Sequence, residues 1–395
     1  MENIDGKASM KTRKVLMASS NNWASPLQVG SHHLARTFIR SGFDVAYISH
    51  PISPLHIFSG VNSDLRRRFD FYRSGGTYDL EGRLWTYVPG ALLTPHNKPL
   101  LRNSFVLKHW SKLTLPNIIN KVRRMGFGDV DLLYLDNACQ FFFLNNINYK
   151  KSVFRVADLI SGYGHSTTAI EQMEQKTAQR VDRVVYTAVN LKEYVSSLRP
   201  KSMSYLPNGV DFHHFSNKPK NPPPEYATIP EPRVVYVGAM NEWFDYDLVN
   251  LLAEQLRKVS FILIGPQELA KKRLQSLPNL HLLGKRTHTT LPAYLHYAHV
   301  GIIPFDVKNH STLIHSVNPI KLYEYMACGL PVVSVEWKEL KTLNSPAMLA
   351  RTKDEFRKNI LECIERPLKP EVYIDYAAQR DWQKQFEPLI QWMNQ

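Results

Sequence analysis

The sequence contains only three cysteines, Cys139, Cys328 and Cys363, and they lie far apart in the chain. They form neither a CxxC pair nor a metal-ligand spacing, so the sequence favours neither a disulfide framework nor a zinc site. Cysteines of this kind fit a reducing compartment.

Long apolar runs are also missing. The apolar run nearest the N-terminus covers only residues 15–18, which is too short for a signal-peptide core of about 7 to 15 residues. No segment approaches the roughly 18 uninterrupted apolar residues of a membrane span. We therefore expect a cytoplasmic protein whose contact with a membrane, if it has one, is peripheral and on the inner face.

Acidic residues are scarce relative to basic ones. The chain of 395 residues has 49 Lys and Arg against 35 Asp and Glu, a net charge of +14. Residues 1–207 hold +12 of this charge and residues 208–395 hold +2. The apolar fraction of 44% excludes a disordered chain. An excess confined to one half indicates an anionic partner for that half: nucleic acid, an anionic membrane surface or an acidic substrate.

Short apolar runs alternate with longer segments of helical periodicity along the whole chain. The predicted helices include 30–41, 167–180, 247–258 and 319–328. The predicted buried strands are 15–18, 45–49, 132–135, 153–157, 183–187, 233–238, 261–265, 280–283, 300–304 and 331–335. Such alternation predicts parallel sheets covered by helices on both faces. We expect an α/β protein of two Rossmann-like, doubly wound domains facing across a cleft.

Composition sets the predicted domain boundaries. Six prolines among residues 217–232 exclude a helix or central strand there. We therefore predict an N-terminal domain over 1–207, a Pro-rich linker over 208–232 and a C-terminal domain over 233–375. The last segment, 376–395, has apolar residues at helical spacing, so we expect a helix that packs on a core and could cross back to the N-terminal domain.

The most informative segment is 318–335, NPIKLYEYMACGLPVVSV. Asn318 suits a helix N-cap, Pro319 the first helical position and Gly329 the left-handed stop, and Pro331 ends the segment before a strand. Because this helix follows the predicted strand 300–304, its free amides should lie at the carboxyl edge of the sheet. Doubly wound folds bind ligands there, and a helix N-terminus favours anions.

Lys321 and Glu324 lie three residues apart, hence on one face of this helix. A cation beside a diphosphate and a carboxylate that accepts hydrogen bonds from a ribose diol are what a bound nucleotide would need. The same spacing is also found in ordinary surface Lys–Glu pairs.

The segment resembles the nucleotide-sugar signature of GT-B glycosyltransferases, in which a Glu precedes a Met-Ala-x-Gly-x-Pro-Val-Val stretch. Residues 324–333, EYMACGLPVV, match it. Residues 206–211, LPNGVD, resemble the exit from the first domain of this superfamily, and 236–239, YVGA, the first strand and loop of the second. Residues 25–36, SPLQVGSHHLAR, resemble the loop and helix that face the acceptor.

Two positions depart from the retaining members of the superfamily. Ser316 stands where many of them have a first Glu, and 240–243, MNEW, replaces their Arg and Lys. The chain is more similar to the membrane-associated glucuronosyltransferase of xanthan biosynthesis and to teichuronic-acid transferases. There, Lys-Leu-x-(Gln/Glu)-Tyr corresponds to 321–325, and a strand ending Arg-x-x-Asp corresponds to 155–158. The resemblance implies that Asp158 is the catalytic base and that the sugar is transferred with inversion.

The position of Asp158 agrees with that role. It follows a predicted strand, so its carboxylate should face the cleft, where it could take a proton from an acceptor hydroxyl. Asp158 could instead cap the helix after the turn. His32, His33 and His165 are alternatives as base or acceptor contacts, although they could also be packing or surface residues.

Other residues fit donor binding. Gly238 and Met240 follow the first strand of the second domain, and Gly238 lets the backbone approach a phosphate, although it could also form a simple turn. In relatives, the segment matching Lys285 and Arg286 holds the base, although these two could simply be a solvated loop. We predict no metal ion and no cofactor, because GT-B relatives generally work without one. The acidic pairs in 129–131 and 245–247 are therefore not interpreted as metal ligands.

The basic half mixes cations with aromatic residues. Residues 66–73, RRRFDFYR, form one patch, and a second is spread over Arg102, Phe105, Lys108, Trp110, Lys112, Lys121, Arg123 and Arg124. Such a mixture fits an anionic lipid surface or RNA, or a solvated face with its aromatics in the core. We favour the membrane and expect no nucleic acid.

The sequence thus predicts a glycosyltransferase. It would move a sugar from a nucleotide diphosphate sugar to a lipid-linked or polysaccharide acceptor. We expect the donor to be a UDP-sugar, and UDP-glucuronate is one candidate. A retaining family-4-like transferase, a UDP-sugar 2-epimerase and a non-enzymatic RNA- or membrane-binding adaptor remain open at this point.

Overall fold

The computed structural model describes residues 12–25, 28–59, 63–95, 101, 103–159, 162 and 167–395. Two parallel sheets organise these residues, as the alternation of strands and helices predicts. The strands of the first sheet are β1 (Arg13–Ala18), β2 (Phe43–Ile48), β3 (Thr77–Asp79), β4 (Leu84–Tyr87), β5 (Asp129–Leu135), β6 (Asn148–Val156), β7 (Arg183–Tyr186) and β8 (Met203–Tyr205).

The first sheet has the order β3-β4-β2-β1-β5-β6-β7-β8, and only the β3–β4 pair is antiparallel. Its central strands are buried on both faces, because helices cover both sides of a parallel sheet. The helices of this half are α1 (Gly30–Arg40), α2 (Ser63–Arg73), α3 (Ser104–His109), α4 (Ile118–Arg124), α5 (Phe143–Asn146), α6 (Thr168–Arg180) and α7 (Lys192–Ser197).

The second sheet is fully parallel, with the order β11-β10-β9-β12-β13-β14. Its strands are β9 (Arg233–Val237), β10 (Ser260–Ile264), β11 (Leu280–Gly284), β12 (Val300–Ile303), β13 (Val332–Val335) and β14 (Met348–Ala350). The helices that follow β8 are α8 (Phe212–Ser216), α9 (Tyr246–Gln255), α10 (Ala270–Arg273), α11 (Leu291–His296), α12 (Ser311–Ile314), α13 (Ile320–Ala327), α14 (Lys338–Thr342), α15 (Lys353–Glu365), α16 (Pro370–Ala378) and α17 (Trp382–Asn394).

The C-terminal helix α17 returns to the first sheet. Its residues Trp382, Phe386 and Leu389 are buried in one core with Leu34 and Phe38 of α1. The helix is amphipathic, so the apolar stripe that predicts it from the sequence is the face it buries. The chain therefore passes between the two halves twice, once after β8 and again before α17.

A buried carboxylate on α14 also joins the two halves. Glu339 is fully buried and accepts hydrogen bonds from the backbone amides of Val189 (2.9 Å) and Asn190 (3.0 Å), and from the Asn190 side chain (2.8 Å). Three donors compensate for the burial of its charge. Among the described residues, no helix is long and apolar enough to cross a bilayer.

Candidate functional site

A cavity of about 350 Å³ lies between the carboxyl edges of the two sheets. This cleft is lined from the first domain by Gly30, Arg155 and Asp158 and from the second by Gly238 and α13. Further lining residues are Gln28, Val29, Ala157, Asn208, Tyr236, Ala239, Trp243, His288, Phe305, Lys321 and Glu324. The cleft therefore brings together residues that are far apart in the sequence.

Helix α13 begins at the cleft, but its N-cap residue differs from the predicted one. Pro319, in extended backbone, is the N-cap, and the helix begins at Ile320. The side chain of Asn318 accepts from the Tyr323 hydroxyl at 2.8 Å and does not cap the helix. In the first turn the Leu322 amide donates to the Pro319 carbonyl at 3.1 Å, and Pro319 offers no side-chain oxygen to the amides of Ile320 and Lys321. Gly329 ends the segment with φ +71°, as the sequence predicts.

Lys321 presents its ammonium group to the cleft. Its Nζ lies 4.8 Å from the ring centroid of Phe305 and 5.7 Å from that of Tyr236. Burial lowers the pKa of Lys321 to about 8, although Glu324 opposes that shift. Within the described part of the chain, no carboxylate comes within 4.0 Å of this ammonium group. Lys321 is thus a desolvated cation at a helix N-terminus, and an anion would be its natural partner.

Glu324 lies one turn later on the same helix face and is 9% exposed. Burial raises the pKa of its carboxyl to about 7, with Lys321 acting in the opposite direction. Its Oε1 is 4.0 Å from Nε2 of His288. A buried carboxyl with few protein partners is suited to accept hydrogen bonds from hydroxyl groups of a ligand.

His288 is a cleft residue that the sequence does not single out. Its ring stacks on that of His214 at 4.7 Å and lies 5.6 Å from that of His33. Burial, followed by the neighbouring His214, lowers the pKa of His288 to about 3, so the imidazole is neutral. Its buried Nε2 has no hydrogen-bond partner among the described residues. The sequence predicts that the loop containing His288 binds the nucleotide base, but it assigns that contact to Lys285 and Arg286.

The backbone at Gly238 approaches the cleft closely. Gly238 has φ +154°, and an added Cβ would lie 2.9 Å from the Tyr236 hydroxyl and 3.2 Å from Cε of Lys321. A side chain here would displace the Tyr236 hydroxyl and crowd the Lys321 side chain. Gly238 therefore does more than form a simple turn.

Asp158 lies two residues after β6 and is half-buried at the first-domain side of the cleft. Behind it, the Arg155 guanidinium donates from Nη2 to Oδ1 of Asn208 at 2.6 Å. Asn208 in turn donates from Nδ2 to the carbonyl of Asn318 at 2.7 Å. These bonds connect the strand that carries Asp158 to the start of α13.

Five predicted donor or acceptor contacts are not among the residues that line the cleft: Met240, Lys285, Arg286, His32 and His33. Met240 is buried in the core beside α9, where its carbonyl accepts from the Tyr246 hydroxyl. Lys285 is exposed, and Arg286 pairs with Glu225 at 2.6 Å. Both ring nitrogens of His32 bind backbone groups. Nδ1 accepts from the Val29 amide at 3.1 Å, and Nε2 donates to the Asn22 carbonyl at 2.9 Å.

The remaining histidines differ in position. Burial lowers the pKa of His32 to about 4, so its ring is a neutral part of the core. His33 stacks on Trp382 at 5.0 Å and is 3% exposed, which makes it a packing residue behind His288. His165 lies outside the described residues.

Solved structures with this architecture include two that cover nearly the whole chain. Sucrose-phosphate synthase (tll1590) from Thermosynechococcus elongatus superposes with a TM-score of 0.66 at 13% identity, covering 97% of this chain and 98% of its own. Anabaena Alr3699/HepE, solved in complex with UDP-glucose, superposes with a TM-score of 0.65 at 14% identity, covering 97% of this chain and all of its own. At such identities the likeness shows the fold.

Family models match both halves of the chain. Residues 17–187 match the N-terminal domain of glucuronosyltransferase GumK, and residues 231–366 match the glycosyl transferases group 1 domain. Both halves of the chain are thus similar to glycosyltransferase domains, and the chain has the GT-B fold. The resemblance predicted from the motifs at 155–158 and 321–333 is thereby confirmed.

A curated relative resembles this chain over part of its length. TuaH of Bacillus subtilis (strain 168), a candidate glycosyltransferase of teichuronic acid biosynthesis, is 21% identical over 238 residues. The match covers 56% of this chain and 59% of TuaH, so this chain spans less than two thirds of that relative's length.

Proposed function

We propose that the protein transfers a sugar from a UDP-sugar to a hydroxyl of a lipid-linked or polysaccharide acceptor, with inversion and without a metal ion. One observation carries the proposal: Asp158 of the first domain and Lys321 and Glu324 of the second line the same cavity. An acid–base group thus faces a nucleotide site across a cleft that can hold both substrates.

The diphosphate of the donor would bind at the start of α13. The amides of Ile320 and Lys321 there receive no side-chain cap from Pro319, and among the described residues no carboxylate lies within 4.0 Å of the Lys321 ammonium group. As the sugar leaves, charge develops on the diphosphate, and donors already oriented toward it stabilise that charge without reorganisation. Gly238 would let the phosphates approach the backbone.

The ribose of the donor would bind at Glu324. The ionised carboxyl accepts two hydrogen bonds from the ribose diol, and neutral His288 can donate its Nε2–H to the carboxylate or to a ribose oxygen. The UDP and UDP-glucose complexes reported for Anabaena HepE support a uridine nucleotide. The match to the N-terminal domain of GumK makes glucuronate one candidate sugar.

Asp158 would act as the general base. The acceptor hydroxyl gives its proton to the Asp158 carboxylate while its oxygen attacks the anomeric carbon, and the bond to the diphosphate breaks on the opposite face. Support for inversion comes from Ser316, which replaces the first carboxylate of many retaining relatives. Ser316 is buried and donates to the carbonyl of Leu313 at 3.2 Å.

A metal-independent reaction is part of the proposal, because Lys321 and the helix N-terminus supply positive charge. One carboxylate of each acidic pair has a structural role. Asp245 caps α9 by accepting from the Leu248 amide at 2.8 Å, and Asp131 binds the Lys14 amide and the Lys150 ammonium group, each at 2.7 Å. Neither pair has its carboxylates directed to the cleft lining.

Peripheral binding to the inner face of the cell membrane would bring the acceptor to the cleft. An apolar groove of about 450 Å³ lies beside α2. Phe69, Leu92 and Leu115 line it and are 46%, 61% and 71% exposed, with Arg66 at its rim. Exposed apolar side chains beside arginines suit an anionic lipid surface. In the second predicted patch Phe105 is 62% exposed, Trp110 is fully buried and Arg102 lies outside the described residues.

The proposal is tested by incubating the protein with UDP-glucose, UDP-galactose or UDP-glucuronate and a lipid-linked saccharide, with and without EDTA. We expect acceptor-dependent UDP release that EDTA leaves unchanged, and a product whose anomeric configuration by NMR is opposite to that of the donor. Retained configuration would contradict inversion. Conversion of a UDP-sugar without acceptor would indicate an epimerase, and no UDP release with any donor would contradict the activity.

A further inference from the structure

Three polar side chains form a bridge between the two domains at the cleft. Arg155 is the second-last residue of β6, Asn208 lies between β8 and α8, and Asn318 immediately precedes the N-cap of α13. All three are buried and all three line the cleft. The bridge therefore joins the strand that leads to Asp158 with the helix that carries Lys321.

Both bonds of this bridge are short. The Arg155 guanidinium donates from Nη2 to Oδ1 of Asn208 at 2.6 Å, and Asn208 donates from Nδ2 to the Asn318 carbonyl at 2.7 Å. The Asn318 side chain accepts from the Tyr323 hydroxyl at 2.8 Å, so Asn318 is also fixed from within α13. The Asn208 amide thus uses its acceptor toward the first domain and its donor toward the second.

The first domain leaves room for the guanidinium of this bridge. Gly30 is the first residue of α1, and a Cβ added there would lie 2.4 Å from Nη2 and 2.9 Å from Cζ of Arg155. A side chain at position 30 would therefore displace the guanidinium. Because that group is the end of a flexible side chain, the displacement would break the bridge while the backbone stays in place.

Stability alone does not account for the bridge. A guanidinium loses its water on burial, and the acceptor that Asn208 offers to Arg155 is a neutral amide. Nε of Arg155 and Nδ2 of Asn318 are buried without a hydrogen-bond partner among the described residues. Unpaired buried donors are costly, and apolar side chains of similar size would pack here without that cost. The alignment that the bridge imposes on the two domains explains it better.

We infer that Arg155 and Asn208 are positioning residues, which hold Asp158 at a fixed distance from the start of α13. The inference rests on the proposed function, because it concerns the alignment of the proposed base with the donor of the same reaction. The acceptor hydroxyl would lie between Asp158 and the anomeric carbon. A displacement of about 1 Å there reduces the rate about 100-fold. The UDP contacts belong to the second domain, so loss of the bridge should lower kcat and leave UDP affinity nearly unchanged.

Three variants of the full chain interrupt the bridge in different ways. Asn208→Asp keeps an oxygen for the Arg155 guanidinium but loses the amide that donates to the Asn318 carbonyl. Gly30→Ala retains all three bridge side chains and displaces the guanidinium. Arg155→Met removes the guanidinium, so adding Gly30→Ala to it should have no further effect.

The second domain offers a matched control for Asn208→Asp. Asn250 on α9 is 9% exposed, compared with 8% for Asn208. Its side chain also accepts one bond and donates another, from the Gln275 amide at 2.9 Å and to the Arg273 carbonyl at 3.0 Å. Asn250 is not among the residues that line the cleft. Asn250→Asp should therefore lower stability without affecting the rate of transfer.

The Kd of UDP is measured by calorimetry, and kcat by UDP release with a lipid-linked saccharide and whichever of UDP-glucose, UDP-galactose and UDP-glucuronate the wild type uses. We expect kcat to fall about 10- to 100-fold in each of the three bridge variants, with the Kd of UDP within about threefold of wild type. Asn250→Asp should keep kcat within about twofold of wild type. A merely structural role would lower the unfolding temperature of Asn208→Asp and Asn250→Asp alike and leave kcat of the folded protein unchanged.

Wild-type kcat in Asn208→Asp or Gly30→Ala, or UDP affinity lost together with kcat, would overturn the inference. If Asn208→Asp does not fold, the result for Gly30→Ala decides. The wild type is measured first: a wild type that releases no UDP contradicts the proposed function and with it this inference, whereas bridge variants equal to an active wild type contradict this inference alone.

Discussion

Nε2 of His288 lies 4.0 Å from Oε1 of Glu324, and the two side chains reach the cleft from the loop after β11 and from α13. Burial lowers the pKa of His288 to about 3 and raises that of Glu324 to about 7. The contact is therefore between a neutral imidazole and a carboxyl that titrates near neutrality. At 4.0 Å the two groups do not form a hydrogen bond with each other, so both can form hydrogen bonds with a nucleotide.

Donor binding should depend on pH through Glu324. The carboxylate that would accept from the ribose is lost below pH about 7, which alone lowers UDP affinity about tenfold between pH 8 and pH 6. Lys321, with a pKa of about 8, gains its proton over the same range and offsets about twofold of that loss, so UDP affinity should fall about fivefold. Isothermal titration of UDP across this range measures the effect. Glu324→Gln should bind UDP weakly with that pH step removed; a variant that keeps the wild-type step would assign it to another group.

The same carboxyl should lower stability at high pH. Its pKa is about 7 in the folded protein and 4.5 ordinarily, because burial disfavours the ionised form. The free energy of unfolding is therefore highest below pH 4.5, where the carboxyl is neutral in both states, and decreases as the pH rises to 7. Glu324→Gln should therefore raise the free energy of unfolding at pH 8 by on the order of 3 kcal/mol and leave it nearly unchanged at pH 4. Urea unfolding at both pH values measures this, and a variant less stable than wild type at pH 8 would contradict the sign.

Lys321→Met should weaken binding of the diphosphate. Losing a buried charge-assisted contact is expected to raise the Kd of UDP by about 10- to 100-fold, while the Kd of uridine changes by less than about threefold. Lys338→Met on the exposed start of α14 is the matched control. Equal losses for UDP and uridine would mean that Lys321 supports the pocket rather than the phosphates.

Glu339→Gln should weaken the junction between the two halves. The carboxylate binds three donors of the segment after β7, and a neutral amide cannot satisfy all of them. We expect the free energy of unfolding to fall by about 2 kcal/mol. Glu371→Gln, at an exposed position of α16, serves as control. An unchanged urea midpoint would show that the Glu339 carboxylate contributes little to the junction.

Charge reversal beside the apolar groove should reduce membrane binding. Arg66→Glu and Leu115→Asp should each weaken binding to phosphatidylglycerol vesicles at least about tenfold, with little binding to phosphatidylcholine vesicles in any case. Leu368→Asp is the control, since Leu368 is a similarly exposed apolar residue in the second domain. Vesicle sedimentation measures this, and wild-type binding by both groove variants would place the membrane contact elsewhere.

Much of the fold can be predicted from the sequence because buried parallel strands are short apolar runs. All ten predicted strands occur, with ends shifted by a few residues. The strands missed were β3, β4, β8 and β14. Three of these have three residues each, and β4 (LWTY) has polar and aromatic residues that give no uniform apolar run.

The site was only partly predictable for a physical reason. Helix spacing places Lys321 and Glu324 on one face, and the preceding strand places Asp158 at the sheet edge. The prediction that they serve a nucleotide and an acceptor rests on the family resemblance. The role of His32 depends on where the Asn22 carbonyl lies, and the importance of His288 depends on its stacking with His214. Such contacts between distant segments are tertiary, and no local pattern in the sequence encodes them.

The central claim is tested most directly by Asp158→Asn. The amide keeps the size of the side chain but cannot take a proton, so kcat for sugar transfer should fall about 10²- to 10⁴-fold while the Kd of UDP stays within about twofold. Asp375→Asn, on an exposed position of α16, controls for a surface charge change. The account predicts lost transfer with intact UDP binding in Asp158→Asn; transfer at the wild-type rate would contradict it.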